Sequence, residues 1–112
     1  MTRLGERTNK YGNHRTEWNG RVFASKAEAR RAAELELMQR AGEITNLEYQ
    51  PRYLLKINGQ MIATYVGDWC YFEGPKSDMT MVVEDCKGVR TPVYKLKRKL
   101  MRALYGIEIR ET

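Results

Sequence analysis

Val82-Val83-Glu84-Asp85-Cys86-Lys87-Gly88 opens like a buried strand and then carries two carboxylates and an ammonium within four positions. Successive side chains on a strand alternate faces, so Asp85 and Lys87 point one way while Glu84 and Cys86 point the other. A carboxylate and an ammonium two apart on one face can share a bound ion or a phosphate. They can equally close into an ion pair. What decides between these is the chemistry that neighbouring strands bring to the same face.

Outward on the N-terminal side, Gly74-Pro75-Lys76-Ser77-Asp78 reads as a turn, so Thr80 to Lys87 is a strand returning along the run Gln60 to Phe72. That run is rich in β-branched and aromatic residues. Ile62, Thr64, Val66, Asp68 and Cys70 share one face of it, and Met61, Ala63, Tyr65, Trp69 and Tyr71 the other. Both faces are largely apolar, as expected for a central strand covered on two sides. Asp68 is the only charge in the run. A carboxylate there is costly unless it is paired, hydrogen-bonded or bound to a cation. A hairpin centred near Lys76 sets Asp68 opposite Glu84 or Asp85, with a one-residue register deciding which. Like charges directly opposite destabilise a sheet by up to ~1 kcal/mol. A divalent cation between them is the simplest explanation.

The remaining elements follow from local signals. Asn19-Gly20 and Asn58-Gly59 each sit between short apolar-containing runs and predict tight hairpin turns, the first tucking Trp18 and Phe23 against the core. Ser25 with Glu28 three residues on is a capping box opening a helix over about 25–41, which Gly42 ends. Glu28 can cap, can pair with Arg31, or can use its place on the Glu28, Ala32, Leu35 stripe to point at a metal from the core's rim. Short strands are expected at Asn46 to Gln50, at Tyr53 to Ile57 and at Ile107 to Ile109. Thr91-Pro92 starts a second helix running to about 105, with Gly106 as its stop. Leu96, Leu100, Ala103 and Leu104 form its expected buried stripe. Lys95, Arg98, Lys99 and Arg102 stack on one face, either as a solvated surface or as one that tracks phosphates. The implied fold class is α+β, with a central mixed sheet of four or five strands flanked by two helices.

Composition bounds the function. A chain of 112 residues suits one domain with a modest core. Residues 1–15 are polar, basic and aperiodic, and read as a flexible arm before a single domain over 16–112. No run is apolar enough for a membrane span, and the first residues lack a signal-peptide core. Cys70 and Cys86 have no CxxC spacing, so reduced thiols, a cytoplasmic setting and no zinc site are expected. Twenty basic against 14 acidic residues, net +6, favour a polyanionic partner.

The order helix-borne Glu28, then Tyr65-Val66-Gly67-Asp68, then Val83-Glu84-Asp85-Cys86-Lys87-Gly88, then a basic helix, resembles the PD-(D/E)XK nucleases. It looks most like the small phage-encoded members of the endonuclease I type, which resolve Holliday junctions. The resemblance covers roughly Phe23 to Glu111, and it implies a restriction-endonuclease-like core. By that pattern Glu28, Asp68, Asp85 and Lys87 are the catalytic residues. Asp68, Asp85 and the Cys86 carbonyl, with Glu28, would hold one or two Mg²⁺ ions, for which Mn²⁺ would substitute. Lys87 would orient or deprotonate the attacking water. Gly67 departs from the family pattern, where proline stands before the aspartate. Glu84 departs too, and would serve as ligand in place of Asp85 if the strand bulged. Arg90, Lys95, Arg98, Lys99 and Arg102 would grip the DNA backbone, positioning it without reading sequence. The implied activity is Mg²⁺-dependent cleavage of branched DNA by a homodimer, with no organic cofactor and no membrane partner. Two other readings stay open: a nucleic-acid-binding module with the same fold and no activity, and an interaction protein in which Asp68, Asp85 and Lys87 form a buried ion network.

Overall fold

Ten elements build the structure, a computed structural model that describes residues 16–18, 20–86 and 90–112. Strands β1 (Thr16–Trp18) and β2 (Arg21–Phe23) form a hairpin ahead of helix α1 (Lys26–Arg40). β3 (Ile44–Tyr49), β4 (Arg52–Ile57), β5 (Gln60–Val66), β6 (Trp69–Glu73) and β7 (Thr80–Asp85) follow, then α2 (Pro92–Tyr105) and β8 (Arg110–Glu111). The fold class is α+β. Its centre is a mixed sheet in the order β3-β6-β7-β8, in which β7 runs antiparallel to β6 and parallel to β8. The N-terminal arm, Asn19 and Lys87 lie outside the described residues.

Each helix begins and ends where its sequence says it should. Ser25 Oγ accepts the Glu28 N–H at 3.1 Å, which satisfies one of the otherwise orphaned donors of the first turn. Gly42 (φ +83°) takes the left-handed conformation that costs a side-chain-bearing residue energy, while Gly42 N and Glu43 N close on the Gln39 and Met38 carbonyls. At α2 the cap is Thr91 Oγ1, accepting the Tyr94 N–H at 3.1 Å, with Pro92 in the first turn, where no N–H is needed.

The two helices cover opposite faces of the sheet. Ala32 and Leu35 of α1 pack with Ile44, Trp69, Tyr71 and Val82, and Trp18 and Phe23 lie against this cluster as expected. On the other face Leu55 and Tyr65 of the β4–β5 hairpin pack with Cys70, Val83, Tyr94 and Met101. Val82 and Val83 thus serve different cores, as strand alternation requires. Each fully buried side chain of this size contributes about 1.5–3 kcal/mol.

Three local expectations need correction. The run from Gln60 to Phe72 is not one straight strand: β5 and β6 belong to different sheets, separated at Gly67-Asp68. The ladder nevertheless continues round a corner. Tyr49 pairs with Trp69 and Arg52 with Val66, and between them Gln50 N donates to Asp68 O at 2.9 Å and Gly67 N to Pro51 O at 3.0 Å. Gln50 turns the bend with φ +54°. A proline at position 67 would lack the N–H that this corner uses, which gives the departure from the nuclease pattern a structural reason. In α2 the buried residues are Tyr94 and Met101, whereas Leu96 and Leu104 of the expected stripe are exposed and Ala103 with them. Only Leu100 of that set packs partly against the core. The last strand is Arg110–Glu111 rather than Ile107 to Ile109, with Ile109 buried just before it. Among the described residues, no helix is long and apolar enough to cross a membrane.

Candidate functional site

Asp68 sits at the corner, immediately before β6. Its backbone is fully engaged, with the carbonyl on Gln50 N and the N–H donating to Glu84 O at 3.0 Å. The carboxylate Oδ2 accepts the Cys86 N–H at 2.6 Å, a bond between neighbouring strands. Because Trp69 pairs with Glu84, the antiparallel register carries on toward Asp68 and Asp85. Glu28 and Asp85 both lie near enough to the Asp68 carboxyl to affect its protonation. Glu28 arrives from the first turn of α1, held by the Ser25 cap. Asp85 is buried, and its Oδ2 accepts the Tyr65 hydroxyl at 2.7 Å. Glu28 and Asp85, from distant parts of the sequence, thus both bear on Asp68.

Burial, above all, pushes the Asp68 carboxyl up to about 6, with the Glu28 charge adding to the rise and the Cys86 N–H opposing it. The folded chain then keeps a proton that an unfolded aspartate loses near pH 4. Stability contributed by this group is present below that pH and is lost as pH rises through about 6. Urea melts of metal-free protein at about pH 5 and pH 7.5 are expected to favour the lower pH by about 1 kcal/mol relative to the same comparison in Asp68→Asn. Equal pH responses in the two proteins would contradict the assignment. Tyr65 is raised as well, by burial first and by its bond to Asp85.

Glu84 points to the opposite face. It is fully buried and takes both guanidinium bonds of Arg31, at 2.9 and 2.7 Å, together with the Tyr71 hydroxyl. β7 pairs with β6 in unbroken register, so no bulge turns Glu84 toward Asp68. The bulge that would let Glu84 replace Asp85 is absent from the β6–β7 ladder, and Glu84 straps α1 to the sheet. Arg31 reaches Glu84 and Glu34 rather than Glu28, which leaves Glu28 to Asp68.

The basic face of α2 is partly neutralised. Arg90 and Arg98 both pair with Glu111, at 2.8 and 3.0 Å, and the Tyr94 hydroxyl joins them at 2.6 Å. Those partners, Arg90 first, hold Glu111 down at about 2. Arg102 lies 3.5 Å from Glu108. Lys95 and Lys99 are exposed, and Lys99 lines a shallow cavity of about 190 Å³ with Arg98 and Arg102.

The chemistry of the donors suits a hard cation. Mg²⁺ is held by one or two carboxylates with retained waters, and desolvated, mutually repelling carboxyls gain most from a cation. Among the described residues, no group of three or more His, Cys, Asp or Glu side chains is set to hold a metal together. The Cys86 thiol stands near the same carboxyls and is raised, chiefly by burial. Lys87 lies outside the described residues.

A cavity of about 310 Å³ opens beside Glu28 and Asp68. Arg21 and Phe23 of β2 line it together with Tyr49, Gln50 and Trp69. The Arg21 guanidinium lies over the Tyr49 ring, 3.9 Å from its centroid. Trp69 Nε1 is buried and has no hydrogen-bond partner among the described residues. An orphaned donor of this kind costs about 1–3 kcal/mol. Sequence reasoning missed Tyr65, Arg31 and this cavity. Gln50-Pro51 was the one legible signal, as a strand stop that is in fact the corner.

The chain belongs to the family described as "Protein of unknown function (DUF1064)", whose model matches residues 8–112. No curated protein and no solved structure matches it.

Proposed function

We propose that this member of the DUF1064 family is a metal-dependent DNA endonuclease that hydrolyses phosphodiester bonds in branched DNA. One observation carries the reading: a desolvated Asp68 carboxyl, fixed at a strand corner by the Cys86 N–H, lies near enough to Glu28 and Asp85 for both to affect its protonation. Buried, adjoining carboxyls on rigid elements are destabilising by themselves and become useful when they hold a cation. In this reading Asp68 and Asp85 bind Mg²⁺ or Mn²⁺, with Glu28 at the rim and the Cys86 carbonyl nearby. A bound divalent ion supplies an acidified water and polarises the phosphate. Tyr65 holds Asp85 in orientation through its hydroxyl. The Cys86 N–H does the same for Asp68. Lys87, by the resemblance, assists the attacking water. Lys95 and Lys99 contact the DNA backbone directly, while Arg90, Arg98 and Arg102 divide their N–H donors between it and their glutamate partners. Symmetric cuts in a junction call for a homodimer. Such an enzyme works in the cytoplasm, the host's for a phage-encoded chain.

The test is calorimetry with Mn²⁺ and Mg²⁺, followed by incubation of wild type with a four-way junction and with the matching linear duplex. A divalent-ion isotherm and ion-dependent cutting of the junction are expected. DNA binding with steep salt dependence, no isotherm and no cutting would instead favour the non-catalytic binding module.

A further inference from the structure

We propose that the cavity beside Asp68 seats one unpaired nucleotide of a DNA strand, the one adjoining the phosphate to be cut. Its position next to the scissile phosphate rests on the nuclease reading; its ligand chemistry does not. At about 310 Å³ the cavity is at the lower end of pockets that enclose small organic ligands, a size for one nucleotide and not for paired strands.

Four features set the ligand class. Phe23 and Tyr49 are tilted aromatic neighbours, with ring centroids 6.5 Å apart. Arg21, laid over Tyr49, extends that surface with a flat cationic plane, and bases stack on aromatic rings and guanidinium planes alike. Gln50 brings an exposed carboxamide, which can both donate to and accept from a base edge. It does so from a left-handed backbone, φ +54°, a conformation that non-glycine residues hold mainly where surrounding structure enforces it. Trp69 borders the cavity, and its indole N–H is buried and lacks a partner among the described residues. An aromatic and cationic lining that also includes Glu28 and Asp68 fits a planar, hydrogen-bonding group attached to a phosphate. A paired base cannot enter, so the strand must present the nucleotide unstacked.

The experiment follows the Trp69 indole N–H resonance in ¹⁵N-labelled, metal-free protein, with Trp18→Phe assigning the two indole signals. The probes are thymidine 5′-monophosphate, a short oligothymidylate, a blunt duplex and inorganic phosphate. Saturable shifts are expected with the monophosphate and, more tightly, with the oligothymidylate, and none with duplex or phosphate. Arg21→Ala is expected to weaken binding about tenfold. Gln50→Asn keeps a residue tolerant of the left-handed backbone while shortening the carboxamide, and is expected to weaken binding too. A shift reproduced by phosphate alone, an equal shift with duplex, or a monophosphate that binds where the oligonucleotide does not would each overturn the proposal, as would no shift with any probe. Wild type separates the two claims: a wild-type protein that seats nucleotides and cuts nothing with any divalent ion loses the nuclease reading and retains the seat, whereas one that cuts branched DNA and shows no nucleotide shift loses the seat and retains the nuclease reading.

Discussion

Asp85→Asn is expected to lower divalent-ion-dependent cleavage about a thousandfold while leaving the fold intact. Asparagine is nearly isosteric with aspartate, and its carbonyl oxygen can still accept the Tyr65 hydroxyl that reaches Oδ2 at 2.7 Å. What it removes is the negative charge, on a side chain only 2% exposed. The change also places an amide donor beside Asp68, which relieves the crowding of carboxyls. Thermal melts should therefore match wild type or rise slightly, an instance of function held at a cost in stability. The calorimetric isotherm with Mn²⁺ should weaken in parallel with the rate. Junction cleavage by the variant at the wild-type rate would falsify the assignment of Asp85. A collapse of the melting temperature would instead show that the buried carboxylate is a structural ion.

Arg31→Met should be the most damaging single substitution to stability among the residues described here, at about 3–5 kcal/mol. Glu84 is fully buried and receives two guanidinium hydrogen bonds, so removing the arginine strands a carboxylate with the Tyr71 hydroxyl as its remaining hydrogen-bonding side chain. For a domain of this size that is a fall of roughly 15–30 °C in melting temperature. The second ion pair of Arg31, with the exposed Glu34, adds little, since surface pairs contribute about 0–1 kcal/mol. Combining Arg31→Met with Glu84→Gln should recover much of the loss, because the stranded charge is gone. A double variant no more stable than the single one would show that packing, and not the charge, dominates.

The helices, their caps and the Asn58-Gly59 turn were legible in the sequence because the bonds that fix them span three or four residues. Asn58 (φ +51°) and Gly59 (φ +78°) both take the left-handed values that such a turn requires. Asp68, Asp85 and Glu28 could be singled out because a carboxylate among apolar neighbours needs a reason, and register then brought two of them near each other. The corner at Gln50 and Gly67 was not legible. It depends on backbone bonds between positions 18 and 16 residues apart, and an apolar strand reads the same whether straight or bent. The wrong stripe on α2 has a similar cause: the helix carries two apolar rows. The row with Tyr94 and Met101 faces the sheet, and the Tyr94 hydroxyl is fastened to Glu111 at the end of the chain.

The corner also limits how the chain can change length. Residues can be added at the Asn58-Gly59 tip, where both arms of the hairpin end in solvent. One residue inserted between Val66 and Trp69 would turn over every side chain on one side of it relative to the other. Either Tyr65 would leave Asp85, or Trp69 and Tyr71 would leave the core beneath α1. Variation in hairpin size should therefore gather at the tip, with the distance from Tyr65 to Trp69 held constant.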